Sequence, residues 1–523
     1  MGAKLEVGMV SYVVGLFVSS MLAIWTVKFL IRAWFRPRQL ERVLRSQGIR
    51  GTSYRFLLGD IKEAMNLQKE AQSKPMNLSH DIAPRLDPMI HYAIKKHGRI
   101  SFYWFGPDLR VILMEPELVK EVLSNKFAIK KPTGPSIIKL YAQGVATYEG
   151  KKWATHRRII NTAFLLEKLK IMLPTFLSCC DDLVKKWSDL LGSAESCELD
   201  IQPEFQKFTG DVISRTAFGS NYEQGQRIFE LQKEQARLLL DIIKCTYIPG
   251  YSFLPTKKNR RMKEIYREVN SILRNMIEQR EQAMRKGQQR SNDLLGLLME
   301  SNMQSDSSNS EGSVGTKLTI EDVIEECKLF YIAGYETTSL LLTWTLVVLS
   351  MHPMWQVRAR DEVLEILGEV KPSFDSLSKL KIVTMIFYEV LRLYPSLVFM
   401  IRETYKPLKL GDFTFPAGVQ FVLPVLDMHH NPDYWGPDVS EFNPIRFSEG
   451  VTKASKVPLV FFPFGGGPRI CPGQNFAMIE AKACLARILQ HFSFELSPSY
   501  AHVPHTLFHT SPKFGAQIII RRI

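Results

Sequence analysis

The sequence predicts a mainly α-helical protein with a small β part, preceded by one N-terminal transmembrane helix. Three observations lead to this fold class. Apolar residues recur at helical spacing over most of the second half of the chain, stretches with strand-like alternation are short, and one long uncharged run lies near the N-terminus. The chain has 523 residues, of which 45% are hydrophobic and 23% charged, so most of it is expected to fold around a large core.

The N-terminal run, residues 7–27, carries no charge and has the length of a helix that crosses a bilayer. Basic residues concentrate after this run, and the positive-inside rule then places the body of the protein in the cytosol. A cleaved signal peptide is the alternative, but it predicts a shorter apolar run and small residues at a cleavage site. We expect a membrane anchor over residues 1–36 and one large folded domain over residues 37–523. The basic residues that follow the run are Lys28, Arg32, Arg36 and Arg38.

Short elements can be predicted along the rest of the chain. Residues 99–115 indicate two strands around a Gly-Pro turn, and residues 408–425 form a second strand-rich stretch with two turns. Residues 37–60 are basic and predicted to be irregular. Residues 301–315 are polar, rich in serine and without periodicity, which predicts a flexible loop.

A long helix is predicted between Thr319 and Pro353. Thr319 and Asp322 form the pattern of a capping box, and Pro353 stops the helix. Some thirty residues span about 45 Å at ~1.5 Å per residue, a length that only a large core can bury. Residues 340–349 are apolar enough to suggest a second membrane span. Because Glu336 and several threonines lie within or beside this run, a buried core helix is the better interpretation.

The segment 464–473, FGGGPRICPG, carries the most specific chemistry. Three consecutive glycines let the backbone approach a flat group closely. A helix is predicted after Cys471, so this cysteine lies at a helix N-terminus beside Arg469, where the helix dipole and free amides favour a thiolate. The pattern therefore predicts a thiolate metal ligand. A structural cysteine on a glycine-rich turn is the alternative.

The net charge limits the classes of partner that the chain is expected to bind, and the cysteine content indicates its redox state. The chain has 67 basic and 53 acidic residues, a net charge of +14, which suits a nucleic acid, an acidic membrane surface or an acidic protein. Nucleic acid is disfavoured because the basic excess is spread along the chain. The seven cysteines show no paired spacing, so they are expected to be reduced in a cytosol-facing domain.

The segment 464–473 resembles the haem-binding loop of the cytochrome P-450 superfamily, and further signatures of that family occur in the expected order. The resemblance covers essentially the whole chain. It implies the P-450 fold, haem b with its iron ligated by the Cys471 thiolate, and monooxygenase activity. The other signatures are Trp153 with Arg157 (WxxxR), residues 333–338 (AGYETT), Glu389 with Arg392 (ExxR) and residues 442–447 (FNPIRF).

The resemblance also implies roles for single residues. Thr337 is expected to hydrogen-bond dioxygen and Glu336 to relay protons, in a groove that Gly334 and the paired threonines open in the long helix. Haem contacts are expected from Trp153, Arg157, Arg402, Phe464 and Arg469, the three arginines binding the propionates. Glu389, Arg392 and Arg446 are expected to form a buried structural triad.

Several stretches resemble one plant group within the superfamily, family 72, subfamily A, which includes secologanin synthase. The resemblance implies NADPH- and O2-dependent oxidation of a small lipophilic terpenoid, with a triterpenoid or steroid preferred and an iridoid monoterpenoid or gibberellin-type diterpenoid left open. Electrons would come from a membrane-bound NADPH-cytochrome reductase, at the cytosolic side of the endoplasmic reticulum membrane. These stretches are residues 73–86, 166–174, 211–225, 247–265 and 322–339.

Two alternatives to a monooxygenase remain at this level: a haem-thiolate isomerase or lyase that needs no reductase, and a non-catalytic membrane haem protein. The intact pair of Glu336 and Thr337 argues against both. Within the family pattern, Pro472 is a departure, because it removes a backbone N–H next to the thiolate. Substrate contacts are expected from residues 137–145, 327–333, 397–400 and 507–508, and residues 247–255 are expected to dip toward the bilayer.

Overall fold

Helices dominate the computed structural model, which describes residues 2–523 except 74–75, 126, 133, 135, 221, 244–250, 287–292, 304–317 and 507. The α-helices of the described residues are α1 (Gly2–Leu30), α2 (Arg36–Ser46), α3 (Ile61–Ser73), α4 (Ala83–Leu86), α5 (Pro88–His97), α6 (Pro116–Ser124), α7 (Gly150–Ala163), α8 (Leu166–Leu191), α9 (Ile201–Phe218), α10 (Tyr222–Ile243), α11 (Lys257–Arg285), α12 (Leu294–Met303), α13 (Ile320–Met351), α14 (Pro353–Leu367), α15 (Phe374–Lys379), α16 (Lys381–Leu393), α17 (Val425–His429), α18 (Pro432–Trp435) and α19 (Gln474–His491).

Among the described residues the strands are short and form four small sheets. They are β1 (Arg50–Gly51), β2 (Ile100–Phe105), β3 (Asp108–Leu113), β4 (Ile129–Lys130), β5 (Cys197–Asp200), β6 (Met400–Thr404), β7 (Leu408–Leu410), β8 (Phe413–Phe415), β9 (Gln420–Leu423), β10 (Phe492–Leu496), β11 (Pro504–Thr506), β12 (Thr510–Pro512) and β13 (Gln517–Arg522). The largest sheet has the order β1-β2-β3-β9-β6-β4, and the others are β10-β13-β5, β11-β12 and β7-β8. The predicted mainly α class with a small β part is confirmed.

The predicted hairpin at residues 99–115 is confirmed. β2 and β3 pair antiparallel, with Ile100 opposite Leu113, and Gly106 adopts a φ of +61° at the turn. A residue with a side chain would be strained at that φ, which explains why glycine stands there. β9 and β6 extend this sheet. Residues of β6 also form part of the wall of the site described below.

Helix α13 is the core helix that the sequence predicts. The Asp322 amide donates to the Thr319 hydroxyl at 3.1 Å, and the Thr319 amide donates to the Asp322 carboxylate at 3.1 Å, which completes the capping box. Residues 340–349 are all buried in the main hydrophobic core, so they do not form a second membrane span. α13 runs without interruption through Gly334, where an added Cβ would lie 2.6 Å from Ile213 on α9. The glycine therefore permits close helix packing, and the expected opening of the helix at this point is not seen.

The N-terminal segment is helical for longer than predicted. α1 continues through a π-helical turn, Ile31–Phe35, into α2, so the prediction of an irregular chain from residue 37 is wrong for the first ten residues. Leu40 and Leu44, four apart, are buried against the large sheet, and this contact stabilises a helix whose composition is otherwise polar. α1 is long and apolar enough to cross a membrane, and its described side chains from residue 12 to residue 28 are exposed.

The predicted polar loop at residues 301–315 is partly described. Residues 301–303 form the end of α12, and residues 304–315 lie outside the described residues.

Candidate active site

A cavity of about 540 Å³ lies between the middle of α13, β6 and the loop before α19. Its volume is within the range of about 300–1,000 Å³ that is typical of small-molecule sites. Apolar side chains form much of its wall, and most of the residues predicted to bind a cofactor line it. Those apolar residues are Val145, Leu329, Phe330, Leu397, Phe399 and Met400, and the predicted site residues are Trp153, Arg157, Thr337, Arg402, Phe464, Arg469 and Cys471.

Cys471 forms part of one wall of this cavity. Its amide donates to the Phe464 carbonyl at 2.9 Å, which fixes the loop, and its side chain is accessible from the cavity although protein surrounds it on the other sides. Burial raises the pKa of the Cys471 thiol, while the Gly473 amide and the charge of Arg157 act in the opposite direction. Arg469, which the sequence predicted to favour the thiolate, pairs with Glu149 instead. The positive charge that favours the thiolate comes from Arg157 on α7.

Four basic side chains crowd one end of the cavity. Arg157 donates to the Ile470 carbonyl at 2.6 Å, and Arg402 donates to the Ile401 carbonyl at 2.9 Å. Burial and the neighbouring arginines lower the pKa of Lys131 to about 7 and that of Arg402 to about 10. Glu149 is the carboxylate that pairs with Arg469 within the described residues of this cluster. The cavity end therefore carries an excess of positive charge.

This arrangement fits haem b. A thiol on the wall can ligate an iron ion, and the excess of positive charge at this end of the cavity suits a group that carries two carboxylates. Arg469 lies 4.4 Å from the ring of Trp153, so the WxxxR helix and the cysteine loop meet at the same edge of the cavity. Lys131 belongs to none of the predicted motifs, and only the folded structure places it beside Arg402 and Arg469.

Of the three glycines in the cysteine loop, one lines the cavity and two contact neighbouring protein. Gly465 lines the cavity with a φ of +76°. A Cβ at Gly467 would overlap the Leu123 carbonyl, and one at Gly466 would lie 3.1 Å from the Leu123 side chain. The expectation that all three glycines face a flat group is therefore corrected: two of them let the loop pack against α6.

Glu336 and Thr337 point to different sides of α13. Thr337 lines the cavity and donates its hydroxyl to the Ala333 carbonyl at 2.6 Å. Glu336 lines a second cavity of about 340 Å³, where its Oε2 lies 3.1 Å from Nδ1 of His509. Burial would raise the pKa of Glu336, but the contact with His509 and the charge of Lys233 bring it below its ordinary value.

The three residues of the predicted triad are brought together and are buried. Arg392 binds Glu389 through two hydrogen bonds of 2.7 and 2.8 Å, and both side chains are 0% exposed. Arg446 Nε lies 3.4 Å from the same carboxylate and Arg446 Nη2 lies 2.5 Å from Asp438. Arg392 also donates to the Val439 carbonyl at 2.8 Å. These contacts join α16 to the irregular segment that precedes the cysteine loop.

Most of the segments predicted to contact substrate contribute to the cavity wall, with two differences. Cys327 is buried and does not line the cavity, and Phe508 lines the second cavity, where its ring stacks on Tyr141 with centroids 5.6 Å apart. Leu507 lies outside the described residues. His509, which no motif predicts, takes the place expected of Phe508 in the wall of the larger cavity.

Comparison with known protein families identifies the arrangement. The family model named cytochrome P450 matches residues 83–513. The chain belongs to the cytochrome P450 family. It is therefore a P450 monooxygenase, and haem with thiolate ligation is implied by the family.

Individual relatives confirm the resemblance to the plant subfamily. The chain is 57% identical over 492 residues to cytochrome P450 CYP72A616 of Paris polyphylla, which covers 94% of this chain and 95% of the relative. It is 51% identical over 499 residues to cytochrome P450 72A397 of Kalopanax septemlobus, covering 95% and 96%. It is 48% identical over 501 residues to secologanin synthase 1 of Catharanthus roseus, covering 95% of each.

Proposed function

We propose that this P450 oxidises a small lipophilic plant terpenoid, a triterpenoid or steroid in preference to an iridoid monoterpenoid or a gibberellin-type diterpenoid. The observation that carries the proposal is the apolar wall of the cavity beside Cys471, built by Val145, Phe330, Leu397 and Met400. A wall of this kind stabilises a hydrocarbon skeleton by removing its apolar surface from water. The similarity to secologanin synthase 1 and to other plant P450s supports the same substrate class.

In this proposal Cys471 Sγ ligates the iron of haem b. When bound, the haem activates dioxygen for the insertion of one oxygen atom into substrate. The guanidinium groups of Arg157, Arg402 and Arg469 neutralise the two propionates, and Trp153 and Phe464 pack beside them. The hydrogen of Thr337 Oγ1 goes to the Ala333 carbonyl, so this oxygen accepts a hydrogen bond on the substrate side, and Glu336 takes up and releases a proton at Oε2. Glu389, Arg392 and Arg446 act structurally, by holding the segment that leads to the cysteine loop.

The proposed electron donor is NADPH, through a separate reductase in the same membrane. The net charge of +14 supports docking of an acidic partner, because opposite charges accelerate association. The membrane is proposed to be the endoplasmic reticulum, with residues 1–36 as a single-pass anchor, a span of about residues 7–27, and residues 37–523 on the cytosolic side. Arg36 donates to the Ala417 carbonyl at 3.0 Å, which supports a fixed attachment of the anchor to the catalytic domain.

An entrance from the lipid is proposed near residues 251–254. Phe253 is 81% exposed and Leu254 is 51% exposed, so this turn offers apolar surface that a bilayer would cover. Residues 247–250 of the same predicted segment lie outside the described residues.

The test is co-expression of the chain with a plant-type reductase in yeast microsomes, with a panel of terpenoids. Products that depend on NADPH and are heavier by one oxygen are expected, and Cys471→Ala is expected to abolish them. If the spectrum of the reduced, carbon monoxide-bound protein shows thiolate ligation but no terpenoid of any class is converted, the substrate proposal is wrong. Conversion of a different class of molecule would replace it.

A further inference from the structure

The two cavities differ in character, and a lining residue of one contacts a lining residue of the other. The larger cavity has Cys471 and Thr337 in its wall, whereas the smaller one is lined by Gln206, Gln232 and Lys233 together with Glu336. Oε1 of Gln232 has no hydrogen-bond partner although the residue is only 4% exposed. This smaller, polar cavity suits water, because it offers several donors and acceptors around a space large enough for more than one water molecule.

The contact between Glu336 and His509 separates these cavities. Glu336 belongs to the wall of the polar cavity and His509 to the wall of the larger one, and the two side chains touch at 3.1 Å. The preceding residue, Phe508, lines the polar cavity and stacks on Tyr141. Of the described residues in the turn between β11 and β12, Phe508 therefore lines the polar cavity and His509 the larger one.

The geometry of this contact leaves the Glu336 carboxylate open to the polar cavity. Nδ1 of His509 makes no hydrogen bond of regular geometry, although it lies within ion-pair distance of the carboxylate. The His509 side chain is 13% exposed and that of Glu336 is 33% exposed, so the carboxylate keeps access to the polar cavity. The other titratable or charged side chains that line this cavity are Tyr141, Asp200, Lys233, Arg237, Tyr335, His505 and Lys513.

We propose that His509 is a positioning residue for Glu336: it holds the carboxylate at the boundary between the cavities, where it takes up protons from water in the polar cavity for use on the Thr337 side. The inference rests on the proposed role of Glu336 as a proton carrier. His509 restrains Oε2, and a proton enters at Oε2 from the polar side and leaves toward Thr337. Neither step forms a covalent bond to carbon or changes an oxidation state.

The balance of dioxygen reduction gives this proposal a readout that needs no terpenoid. With two electrons and two protons, dioxygen leaves as hydrogen peroxide; with four electrons and four protons, it leaves as two waters. NADPH supplies the electrons. We expect a poorer proton supply to raise the share of peroxide, so the ratio of peroxide formed to NADPH oxidised reports on Glu336 and His509.

The experiment uses the full-length holoenzyme with a plant-type reductase and no added substrate. His509→Leu is expected to raise peroxide per NADPH at least twofold, Glu336→Gln to do the same, and the double variant to go no further. His509→Lys, which places an ammonium group beside the carboxylate, is expected to remain closer to the unmodified protein. The matched control is His91→Gln, which breaks a histidine–carboxylate contact of 3.2 Å with Asp427 outside both cavities, and its ratio is expected to be unchanged.

Two further measurements separate positioning from a general loss of structure. Loss of His509 removes the contact that lowers the pKa of Glu336, so the acid limb of the pH profile of the ratio is expected to shift to higher pH in His509→Leu. The melting temperatures of the two single variants and the double variant are expected to be non-additive, because the residues touch.

The outcomes distinguish the inference from the role on which it rests. If Glu336→Gln leaves the ratio unchanged, the role of Glu336 as proton carrier fails, and the inference fails with it. If Glu336→Gln raises the ratio but His509→Leu changes neither the ratio nor its pH profile, the inference alone is overturned. Additive effects of the two substitutions would also contradict it.

Discussion

Replacement of Arg392 by leucine is expected to destabilise the protein strongly, because the guanidinium is fully buried and has partners on every side. It binds Glu389 through two hydrogen bonds and donates to the carbonyls of His429 and Val439 at 3.0 and 2.8 Å. Breaking one partner of a buried ion pair costs about 3–5 kcal/mol, since the remaining charge is left without compensation. Here Arg446, 3.4 Å from the same carboxylate, recovers part of that loss.

The same substitution at an exposed pair gives the matched control. Arg261 binds Glu234 through two hydrogen bonds of 2.7 Å, but their side chains are 37% and 43% exposed. Exposed pairs of this kind contribute about 0–1 kcal/mol, because water screens the charges. Arg392→Leu and Arg261→Leu thus remove ion pairs of similar geometry and differ in burial.

The assay is the thermal unfolding of the full-length holoenzyme. With an unfolding entropy of about 2.1 cal/mol/K per residue, each kcal/mol corresponds to about 1 °C for a domain of this size. We expect Arg392→Leu to lower Tm by about 3–5 °C and Arg261→Leu by about 1 °C or less. Equal shifts for the two variants would refute the argument that burial of the pair determines its contribution.

Three other predictions follow from the packing and charges of the core. Burial lowers the pKa of His80 to about 3 and that of His502 to about 4, below the ordinary value near 6.5, so the stability that the neutral histidines contribute is present above about pH 6.5 and is lost as the pH falls toward 4. The drop in Tm between these pH values is expected to be smaller in His80→Gln, and an unchanged drop would contradict this origin of the pH dependence. Lys131→Met removes a cation from a positive cluster, so it is expected to raise the Tm of haem-free protein and to speed transfer of haem to an acceptor protein, whereas a lower Tm would show that Lys131 stabilises the empty fold. Gly334→Ala places a Cβ 2.6 Å from Ile213, and the resulting overpacking is expected to lower the free energy of unfolding by about 1–3 kcal/mol and to be relieved by the additional substitution Ile213→Ala. A Gly334→Ala protein as stable as the unmodified protein would exclude close packing at this position.

Features that depend on neighbours in sequence were predictable from the sequence. The capping box of Thr319 and Asp322 needs residues three apart, and the ion pair of Glu389 and Arg392 likewise lies within one helical turn. The hairpin around Gly106 follows from alternation and a turn pattern. The family motifs, read in order, predicted the cysteine loop, and the structure puts Cys471 in the wall of the cavity.

Features that depend on distant contacts were not predictable. Lys131 and His509 belong to no motif. Lys131 joins its site because Arg402 on β6 and Arg469 in the cysteine loop fold beside it, and His509 because it contacts Glu336 on α13. α2 was missed because two buried leucines are too weak a pattern to predict a helix without knowledge of the sheet they contact. Gly466 and Gly467 were predicted to permit a close approach to the backbone, and they do so, but the group that approaches them is Leu123 and not a flat cofactor.

The most direct test of the account is the carbon monoxide spectrum of the reduced holoenzyme in which single cysteines are replaced. Cys471 lines the cavity, whereas Cys327 is buried nearby on α13 and does not line it. We predict that Cys327→Ala retains the spectrum of thiolate ligation and that Cys471→Ala loses it while circular dichroism shows an intact helical fold. Retention of the thiolate spectrum in Cys471→Ala would contradict the assignment of Cys471 as the haem ligand and the site built on it.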